Sequence, residues 1–318
     1  MKLIVHYDKP DLVLDILRRR NPAVAVACST DYASLPAMLE RERPDVLFTV
    51  RFAGTPNFPR AAVLDSPSLR WISVGGSGTD HLGAWDPVRL TVTNAAGVAA
   101  EVMAEYVIGG LLHFTLGLDG FGREQRQRAW KPGTVAALRG RTLTILGLGK
   151  TGQAVARLAK IFGMTVTGIR AHPAPTPNVD RVAPMTDLHA VLSEAYCVAV
   201  CLPLSTATRG LLDAAAFAAL KPGAILVDIS RGGIVRQAAL IEALNSGRLR
   251  GAVLDVFETE PLPAENPLWA MENVVVTPHC SSVYEGWERR AMEMFCDNIE
   301  RWQNGAPLEN IVDPARGY

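Results

Sequence analysis

The fold of this chain is decided by the stretch Thr142-Leu143-Thr144-Ile145-Leu146-Gly147-Leu148-Gly149-Lys150-Thr151-Gly152. Its first half is β-branched and aliphatic, which predicts a buried strand. Its glycines stand at G-x-G-x-x-G spacing, and a helical pattern follows at residues 153–159. In this spacing the first glycine permits a tight turn, the second admits a pyrophosphate to the backbone, and the third lets helix and strand pack closely. With a second strand predicted at residues 164–169, the stretch indicates a dinucleotide-binding βαβ unit.

The start of the predicted helix is the expected phosphate site, because helix N-termini offer unpaired N–H groups and a positive dipole. We therefore expect the cofactor to contact Gly147, Gly149, Lys150, Thr151 and Gly152. The tripeptide Gly149-Lys150-Thr151 also resembles the end of an ATP-binding P-loop. That motif needs a glycine five residues before Gly149, where Thr144 stands inside the predicted strand. The sequence thus disfavours a P-loop ATPase.

The composition argues against several classes of protein. Lysine plus arginine and aspartate plus glutamate are equal at 32 each in 318 residues, so no net field favours nucleic acid or an anionic membrane. The sequence contains no membrane-spanning apolar run, and its N-terminus lacks the long apolar region of a signal peptide. We expect a cytoplasmic protein without a metal site, whose cysteines, with no C-x-x-C pair, are free thiols: Cys28, Cys197, Cys201, Cys280 and Cys296.

The first ninety-odd residues alternate between predicted strands and helices. The strands are predicted at residues 3–7, 24–28, 45–50, 69–74 and 92–94, and the helices near residues 12–20 and 33–43. Such alternation predicts a parallel sheet covered by helices. A final helix is predicted at residues 283–303. We predict two α/β domains, one of residues 1–97 plus 283–318 and a dinucleotide-binding domain of residues 98–282.

Polar or glycine-rich loops follow the predicted strands at residues 197–202, 224–229, 252–254 and 274–277. Because the carboxyl ends of parallel strands share one edge of a sheet, where ligands bind, residues from these loops are expected to meet. In the first domain, Arg51 and the glycine-rich residues 75–80 also follow strands. The alternatives there are a solvated charge and a plain turn.

A long helical pattern runs from Val98 to Phe114 and loosens around residues 117–122. Its apolar residues nearly encircle it, so we expect it to be buried between domains or in an oligomer interface. The next segment, residues 123–134, is basic and polar and contains the isolated Trp130. An exposed tryptophan of this kind is a candidate interface anchor.

Arg231, Glu260 and His279 are the candidate catalytic residues. Reducing a 2-oxo acid with a nicotinamide hydride needs a cation that holds the carboxylate and polarises the ketone, which a guanidinium provides. It also needs an acid that works near neutral pH, for which histidine is the usual choice. A neighbouring carboxylate favours the charged imidazolium, the role expected for Glu260. The alternatives are a structural histidine at 279, an ion pair of Arg231 with Asp228 or Asp255, and a loop merely solvated by Glu258 and Glu260.

Further motifs accompany the glycine stretch: Leu138-Arg139-Gly140-Arg141, Asp228-Ile229-Ser230-Arg231-Gly232, Asp255-Val256-Phe257-Glu258-Thr259-Glu260-Pro261-Leu262-Pro263, Asn266-Pro267-Leu268-Trp269 and Thr277-Pro278-His279. With them, essentially the whole chain resembles the D-isomer-specific 2-hydroxyacid dehydrogenase family. The resemblance implies a Rossmann-type dinucleotide-binding domain and a flavodoxin-like substrate domain, with the active site in the cleft between them.

The resemblance also assigns roles to single residues. Arg231, Glu260 and His279 match the catalytic Arg, Glu and His of the family, and the backbone N–H groups near Ser77 and Gly78 match its substrate-carboxylate loop. Cofactor contacts beyond the glycine turn are expected from the strand-end loops, at Pro203, Thr208, Ile229, Ser230, Arg231, Asp255, His279 and Ser281.

A homodimer is implied as well, with the helix from Val98 in its interface. Trp130 resembles a tryptophan that reaches into the partner subunit's pocket in glyoxylate/hydroxypyruvate reductases. Arg51 stands where some relatives carry an arginine on the substrate side, which is a weaker match.

One departure from the family concerns the choice of cofactor. NAD-preferring relatives carry an acidic residue at the end of the second strand of this domain, whereas here the strand runs into Arg170-Ala171-His172-Pro173 and no acid occurs before Asp180. A missing carboxylate and an added arginine favour a 2′-phosphate, so we predict a preference for NADP(H), assisted by His172. The alternative is that Arg170 stacks on the adenine, so that the preference is mixed and NAD(H) binds as well. A second departure follows His279, where Cys280-Ser281-Ser282 replaces the small apolar-glycine run of relatives, so the resemblance does not define the contacts of these residues with the nicotinamide carboxamide.

The predicted activity is the NADPH-preferring reduction of a small 2-oxo acid, of the glyoxylate or hydroxypyruvate type, to the D-2-hydroxy acid with His279 as acid. One alternative is a formate- or phosphite-oxidising relative, although those enzymes place a glutamine where Glu260 stands. The other is a non-catalytic dinucleotide-sensing binding protein, against which the complete set of Arg, Glu and His argues.

Overall fold

A computed structural model describes residues 1–50 and 57–314 of the chain. The chain divides into two compact units, a first unit of Met1–Val98 with Glu285–Tyr318 and a second unit of Ala99–Tyr284. Within the described residues the strands are β1 (Lys2–His6), β2 (Ala25–Ser29), β3 (Val46–Thr49), β4 (Trp71–Val74), β5 (Thr91–Asn94), β6 (Thr142–Leu146), β7 (Thr165–Ile169), β8 (Arg181–Ala183), β9 (Cys197–Val200), β10 (Ala224–Asp228), β11 (Leu249–Leu254) and β12 (Val274–Val276).

The helices of the same residues are α1 (Asp11–Arg20), α2 (Leu35–Glu42), α3 (Arg60–Leu64), α4 (Ala100–Leu116), α5 (Leu118–Arg126), α6 (Lys150–Ile161), α7 (Leu188–Leu192), α8 (Ala214–Ala219), α9 (Gln237–Asn245) and α10 (Trp287–Gln303). Short 3-10 turns lie at Asp80–Leu82, Met185–Asp187 and Pro267–Ala270. Among the described residues, none of these helices is both long and apolar enough to cross a membrane.

The described part of the first unit holds a parallel sheet in the order β2-β1-β3-β4-β5. Side chains alternate between its two faces, as the strand geometry requires. Leu3 and Val5 pack with Phe295 of α10 on one face, while Ile4 packs with Leu35 on the other. Past β5 the chain end adds an antiparallel bridge, in which the Val312 N–H donates to the Val92 oxygen at 2.8 Å.

The second unit holds a parallel sheet in the order β12-β11-β10-β9-β6-β7-β8, again within the described residues. After β8 the chain returns to the opposite side of β6, so the strand order reverses between β6 and β9. Ligands of open α/β sheets bind outside the carboxyl ends of the strands at such a reversal. The glycine turn follows β6 and therefore lies at this point.

Helix α4 lies on this sheet because glycines let it approach. A Cβ on Gly110 would lie 2.9 Å from Val253, and a Cβ on Gly251 would lie 2.2 Å from the ring of Phe114. The same helix also packs with α6, through the cluster that includes Ala104 and Val155. Part of the apolar surface that the sequence predicts all around this helix is therefore buried within the second unit, against the sheet and α6.

Two predicted helix boundaries are wrong. The segment around residues 117–122, predicted to loosen, begins the separate helix α5 after Gly117, which has φ +64°. Asp119 in its first turn and Arg123 and Arg126 in its last complement the helix dipole, which favours the helix despite its internal glycines. The final helix begins at Trp287 rather than Val283, because Gly286 at φ +82° leaves the helical conformation.

Candidate active site

The glycine turn after β6 combines tight packing with open space. Gly147 has φ +98°, and a Cβ there would lie 2.9 Å from the backbone oxygen of Cys201. A Cβ on Gly152 would lie 1.9 Å from the Gly147 oxygen, so β6 and α6 pack too closely for any side chain at 152. A Cβ on Gly149, in contrast, would meet no described atom within 4 Å. The packing requires glycine at 147 and 152, whereas the glycine at 149 leaves room for a ligand to reach the backbone.

Helix α6 presents its N-terminus at this turn. Within the described chain, its N-cap residue Gly149 provides no side-chain cap, and its first turn, which includes Lys150 and Thr151, carries no acidic residue. The first amides of a helix lack partners inside the helix and readily bind an anion. These donors and the open space at Gly149 fit the pyrophosphate of a dinucleotide.

The end of β7 carries positive charge. Arg170 follows the strand, where its N–H donates to the Ala183 oxygen at 3.2 Å, and the exposed His172 lies two residues further on. The next acid, Asp180, accepts hydrogen bonds from Lys160 at 2.8 Å and from the Val166 N–H at 2.8 Å. Because Val166 lies near the start of β7, Asp180 is held at the amino end of the strand. The hydrogen bond from Lys160 also lowers the pKa of Asp180.

The loops after β9 and β10 hold further predicted cofactor contacts. The buried Thr208 donates its hydroxyl to the Pro203 oxygen at 2.7 Å and accepts from the Ser205 N–H at 2.8 Å, which closes the loop after β9. Ile229 and Ser230 are buried at the end of β10. These residues shape the backbone at the sheet edge, and their hydroxyl groups already have partners in the chain.

His279 and Glu260 are in direct contact. The His279 Nδ1 lies 2.8 Å from Glu260 Oε2, and Glu260 Oε1 accepts the Phe257 N–H at 3.0 Å. Both side chains keep about a third of their surface exposed, 35% for His279 and 30% for Glu260. Because Nδ1 faces the carboxylate, Nε2 is the nitrogen that can exchange a proton with a bound substrate.

Arg231 lies on the turn that packs against the segment carrying Glu260. A Cβ on the next residue, Gly232, would lie 1.7 Å from the Phe257 oxygen, and the Phe257 N–H is the donor to Glu260. The Arg231 Nη1 donates to the Ser230 oxygen at 2.7 Å. The structure thus brings Glu260 and His279 into contact and sets the Arg231 turn beside them, on the edge formed by β10, β11 and β12.

Asp255 organises the loop that bears His279. It is fully buried, and it accepts hydrogen bonds from the Thr277 hydroxyl at 2.6 Å, the Cys280 N–H at 2.8 Å and the Ser281 N–H at 2.9 Å. Between these donors His279 adopts φ +53°, a conformation that costs a non-glycine residue about 1–3 kcal/mol. The sequence did not assign a role to Thr277, although two signals marked it, namely its place at the end of a predicted strand and its position in the motif Thr277-Pro278-His279.

Asp228 is the second buried carboxylate at this edge. Its Oδ1 accepts the Ser230 N–H at 3.0 Å and the Ser230 hydroxyl at 2.5 Å. Burial raises the pKa of Asp228 to about 7, with a further contribution from Asp255, while the bonds from Ser230 oppose the shift. This carboxyl therefore changes charge near neutral pH.

The predicted substrate-side residues lie elsewhere in the chain. Ser77 and Gly78 follow β4 in the first unit, where Asn94 Nδ2 donates to the Ser77 oxygen at 2.8 Å. Trp130 follows α5 and is 97% exposed. Arg51 lies outside the described residues. In the described part of the chain, no cluster of His, Cys, Asp and Glu side chains is arranged to hold a metal ion.

Comparison with known proteins identifies the family. The family model described as "D-isomer specific 2-hydroxyacid dehydrogenase, NAD binding domain" matches residues 108–281. The chain belongs to the D-isomer specific 2-hydroxyacid dehydrogenase family. As a D-2-hydroxyacid dehydrogenase it is an NAD(P)-dependent enzyme, and the family acts on small 2-oxo and 2-hydroxy acids.

Individual D-2-hydroxyacid dehydrogenases agree with this assignment. A glyoxylate reductase of Korarchaeum cryptofilum is 33% identical over 256 residues, 78% of this chain and 77% of the relative. A D-isomer specific 2-hydroxyacid dehydrogenase of Xanthobacter autotrophicus, solved with NADPH and MES, has TM-score 0.85 and 32% identity and covers 99% of both chains. An NADPH-dependent glyoxylate/hydroxypyruvate reductase of Sinorhizobium meliloti, solved with NADP and sulfate, has TM-score 0.84 and 28% identity, covering 100% of this chain and 99% of that one.

The family and its structures confirm the predicted fold class of two parallel-sheet α/β domains, one of them a Rossmann domain that binds a nicotinamide dinucleotide. The region matched by the D-2-hydroxyacid dehydrogenase model contains the glycine turn and the loops of Arg231, Glu260 and His279.

Proposed function

We propose that this dehydrogenase reduces a small 2-oxo acid of the glyoxylate or hydroxypyruvate type to the D-2-hydroxy acid, with NADPH as the preferred cofactor. The contact of His279 Nδ1 with Glu260 Oε2 at 2.8 Å carries the proposal, since it pairs a proton donor with the carboxylate that favours its charged form. When bound, the reduced nicotinamide supplies the hydride that the carbonyl carbon receives.

His279 is the general acid in this proposal. Glu260, itself held by the Phe257 N–H, orients the ring through Nδ1, so that the proton on Nε2 passes to the carbonyl oxygen of the substrate. In the reverse reaction the neutral ring accepts that proton from the hydroxyl group. Replacing His279 by Ala should therefore lower kcat by about 10²–10⁴-fold with little change in cofactor affinity.

Arg231 is proposed to bind the substrate carboxylate and to polarise the carbonyl group, because its planar fork of donors matches a carboxylate. The backbone amides of Ser77 and Gly78 are proposed to take the same carboxylate, with Arg51 and Trp130 as further substrate contacts. The glycine-rich turn after β4 offers main-chain donors and no bulky side chain at Gly75, Gly76 and Gly78. A small substrate fits such a loop best.

The preference for NADPH is supported by charge at the end of β7. Arg170 follows the strand while Asp180 is bound to Lys160 at its other end, so a 2′-phosphate would meet a guanidinium rather than a carboxylate. His172, two residues further on, is proposed to assist. The relatives solved with NADPH and NADP are consistent with this choice. The other proposed cofactor contacts are Pro203, Thr208, Ile229, Ser230, Arg231, Asp255, His279 and Ser281.

A homodimer is proposed in addition. Helix α5 buries none of its side chains within the described chain; it exposes Leu118 and Phe121, and the exposed Trp130 follows four residues after its end. Exposed apolar side chains of this kind are typical of interfaces. Trp130 is proposed to enter the substrate pocket of the partner subunit. A cytoplasmic location is proposed from the free thiols, which the structure shows at Cys28, Cys197, Cys201, Cys280 and Cys296.

The proposal is tested by following NAD(P)H absorbance, with NADPH or NADH supplied for glyoxylate, hydroxypyruvate and pyruvate, and with NADP⁺ or NAD⁺ supplied for formate. We expect turnover of glyoxylate or hydroxypyruvate and a higher kcat/KM for NADPH than for NADH, a ratio that Arg170→Asp should reverse. A kcat/KM for NADH equal to that for NADPH would contradict the cofactor assignment. Nearly unchanged kcat in His279→Ala would contradict the acid assignment, and oxidation of formate would favour the formate-type alternative.

A further inference from the structure

His279 sits in a loop that is anchored on both sides of it. Thr277, two residues before, donates its hydroxyl to Asp255 Oδ1, while the N–H groups of Cys280 and Ser281 donate to Oδ1 and Oδ2 of the same carboxylate. The His279 N–H donates to the Thr277 oxygen at 3.0 Å. The left-handed conformation of His279 at φ +53° is therefore defined by Asp255 and its donors.

A hydroxyl group from a distant helix completes this anchor. The Tyr106 hydroxyl, on α4, lies 2.6 Å from Thr277 Oγ1, although 171 residues separate the two in sequence. Because Thr277 uses its only hydroxyl proton on Asp255 Oδ1, its oxygen must accept the proton of Tyr106. The result is a directed chain of hydrogen bonds from Tyr106 through Thr277 to Asp255.

We propose that Tyr106 is a positioning residue for His279. It acts through Thr277 and Asp255 to hold the imidazole in the orientation in which its Nδ1 contacts the Glu260 carboxylate. The inference deepens the proposed function and rests on it, since it concerns the residue that is proposed to transfer the proton. Tyr106 does not itself touch the reacting atoms.

The surroundings of Tyr106 suit this role. The side chain is half-buried, and burial raises the pKa of its hydroxyl to about 12, so it keeps the proton that it donates. Its helix is fixed against the sheet next to β10 and β11 by the close approach at Gly110. Helix α4 thus fixes the position of the Tyr106 hydroxyl. Two short hydrogen bonds of 2.6 Å, from Tyr106 to Thr277 and from Thr277 to Asp255, then fix the loop that carries His279.

The test compares Tyr106→Phe, Thr277→Val and Thr277→Ser in the full chain, with Thr115→Val as the matched control. Thr115 is a buried residue of α4 whose hydroxyl bonds to the Leu111 oxygen at 2.9 Å, in the turn of the helix before it. Three quantities are measured: kcat and the NADPH KM of glyoxylate reduction, and the rate of amide hydrogen exchange in a peptide covering residues 278–282, by mass spectrometry without cofactor.

We expect Tyr106→Phe and Thr277→Val to lower kcat about tenfold with the NADPH KM nearly unchanged, since a small displacement of a catalytic group acts on the chemical step. Exchange in residues 278–282 should accelerate about tenfold, the effect of losing one hydrogen bond. Thr277→Ser, which keeps the hydroxyl, should recover both kcat and the exchange rate relative to Thr277→Val. Thr115→Val should change neither kcat nor the exchange rate.

Two outcomes would overturn the inference. One is exchange in residues 278–282 that stays at the wild-type rate in Tyr106→Phe. The other is a kcat loss in Thr277→Ser as large as in Thr277→Val. Failure of the proposed function is seen separately, as wild-type protein that turns over no 2-oxo acid, because the exchange measurement needs neither substrate nor cofactor.

Discussion

At the scale of single residues, Glu258 and Glu260 show how position decides chemistry. They stand two positions apart in one loop, but Glu258 Oε1 accepts the Gln237 N–H at 3.0 Å and so caps helix α9. Glu260 instead contacts His279, with its other oxygen held by Phe257. The alternative that Glu258 and Glu260 merely solvate the loop is therefore wrong, because each carboxylate contacts a group of the chain itself. Of the two, only Glu260 contacts the imidazole that is proposed to transfer the proton.

The first prediction compares these two glutamates. Glu260→Gln keeps the hydrogen bond to Phe257 but removes the negative charge beside the imidazole, so kcat at pH 7 should fall by roughly 10–100-fold. Glu258→Gln keeps the cap of α9 and should retain nearly wild-type kcat. Steady-state reduction of glyoxylate, with melting temperatures measured in parallel, checks both. Equal losses of kcat in the two variants would show that Glu260 has no special role.

A second prediction concerns Asp228 and pH. Its folded-state pKa of about 7 lies above the ordinary value of 3.8, so the folded protein binds a proton that the unfolded chain has released between these values. This stabilising contribution is fully present below pH 3.8 and is lost as the pH rises through about 7. Asp228→Asn, which cannot ionise, should therefore gain stability over the wild type as the pH rises.

We expect the gain of Asp228→Asn relative to wild type to grow by about 3 kcal/mol between pH 5 and pH 8. Urea unfolding at the two pH values measures it. The exposed Asp65→Asn serves as the control for removal of a charge. A stability difference that is the same at both pH values would show that Asp228 does not titrate in this range.

At the scale of elements, the packing of β6 on α6 depends on the absence of side chains. The third glycine of the turn lies so close to the first that any Cβ at 152 would collide with the Gly147 oxygen. The second glycine has no such neighbour within the described chain. Glycine at 152 is therefore required for packing, whereas glycine at 149 is expected to be required only for ligand binding.

The third prediction uses this difference. Gly152→Ala should destabilise the protein by about 1–3 kcal/mol through overpacking and also weaken NADPH binding. Gly149→Ala should leave the stability nearly unchanged and weaken NADPH binding alone. Thermal unfolding and fluorescence titration with NADPH distinguish these patterns, and a stable Gly152→Ala variant would contradict the packing argument.

At the scale of the whole molecule, each unit has its own parallel sheet and its own buried core. Among the large apolar side chains that are exposed in the described chain, four lie close together in sequence in α5 and the segment after it: Leu118, Phe121, Trp130 and Val135. The Phe121 ring of α5 lies close to Gly133 of that segment, since a Cβ on Gly133 would lie 3.0 Å from the ring. This surface is the one on which we expect the second subunit.

The fourth prediction is that the protein has twice its chain mass of 34.3 kDa in solution, measured by light scattering after size exclusion. The double variant Leu118→Glu and Phe121→Glu should yield monomers, because charges in a desolvated interface are unfavourable. Val88→Glu, at a site that is 95% exposed and far along the chain, should stay dimeric. A wild-type monomer, or a dimer that survives the double variant, would contradict the proposed surface.

The sequence by itself determined the features that depend on neighbouring residues. The glycine spacing of 147, 149 and 152 requires a tight strand–turn–helix, because steric limits on φ and on Cβ act locally. Alternation of strands and helices likewise determined the parallel sheets, although not the boundaries at Gly117 and Gly286, where a single left-handed glycine ends a regular pattern.

Only the tertiary structure decided which polar groups meet. That Glu258 caps helix α9, and that Tyr106 reaches Thr277, depends on hydrogen bonds between segments far apart in the chain. Such bonds form only within a narrow range of distance and angle, and the folded backbone sets both. A sequence pattern can predict which residues lie at the same sheet edge, but it does not determine which of their polar groups come within hydrogen-bonding distance.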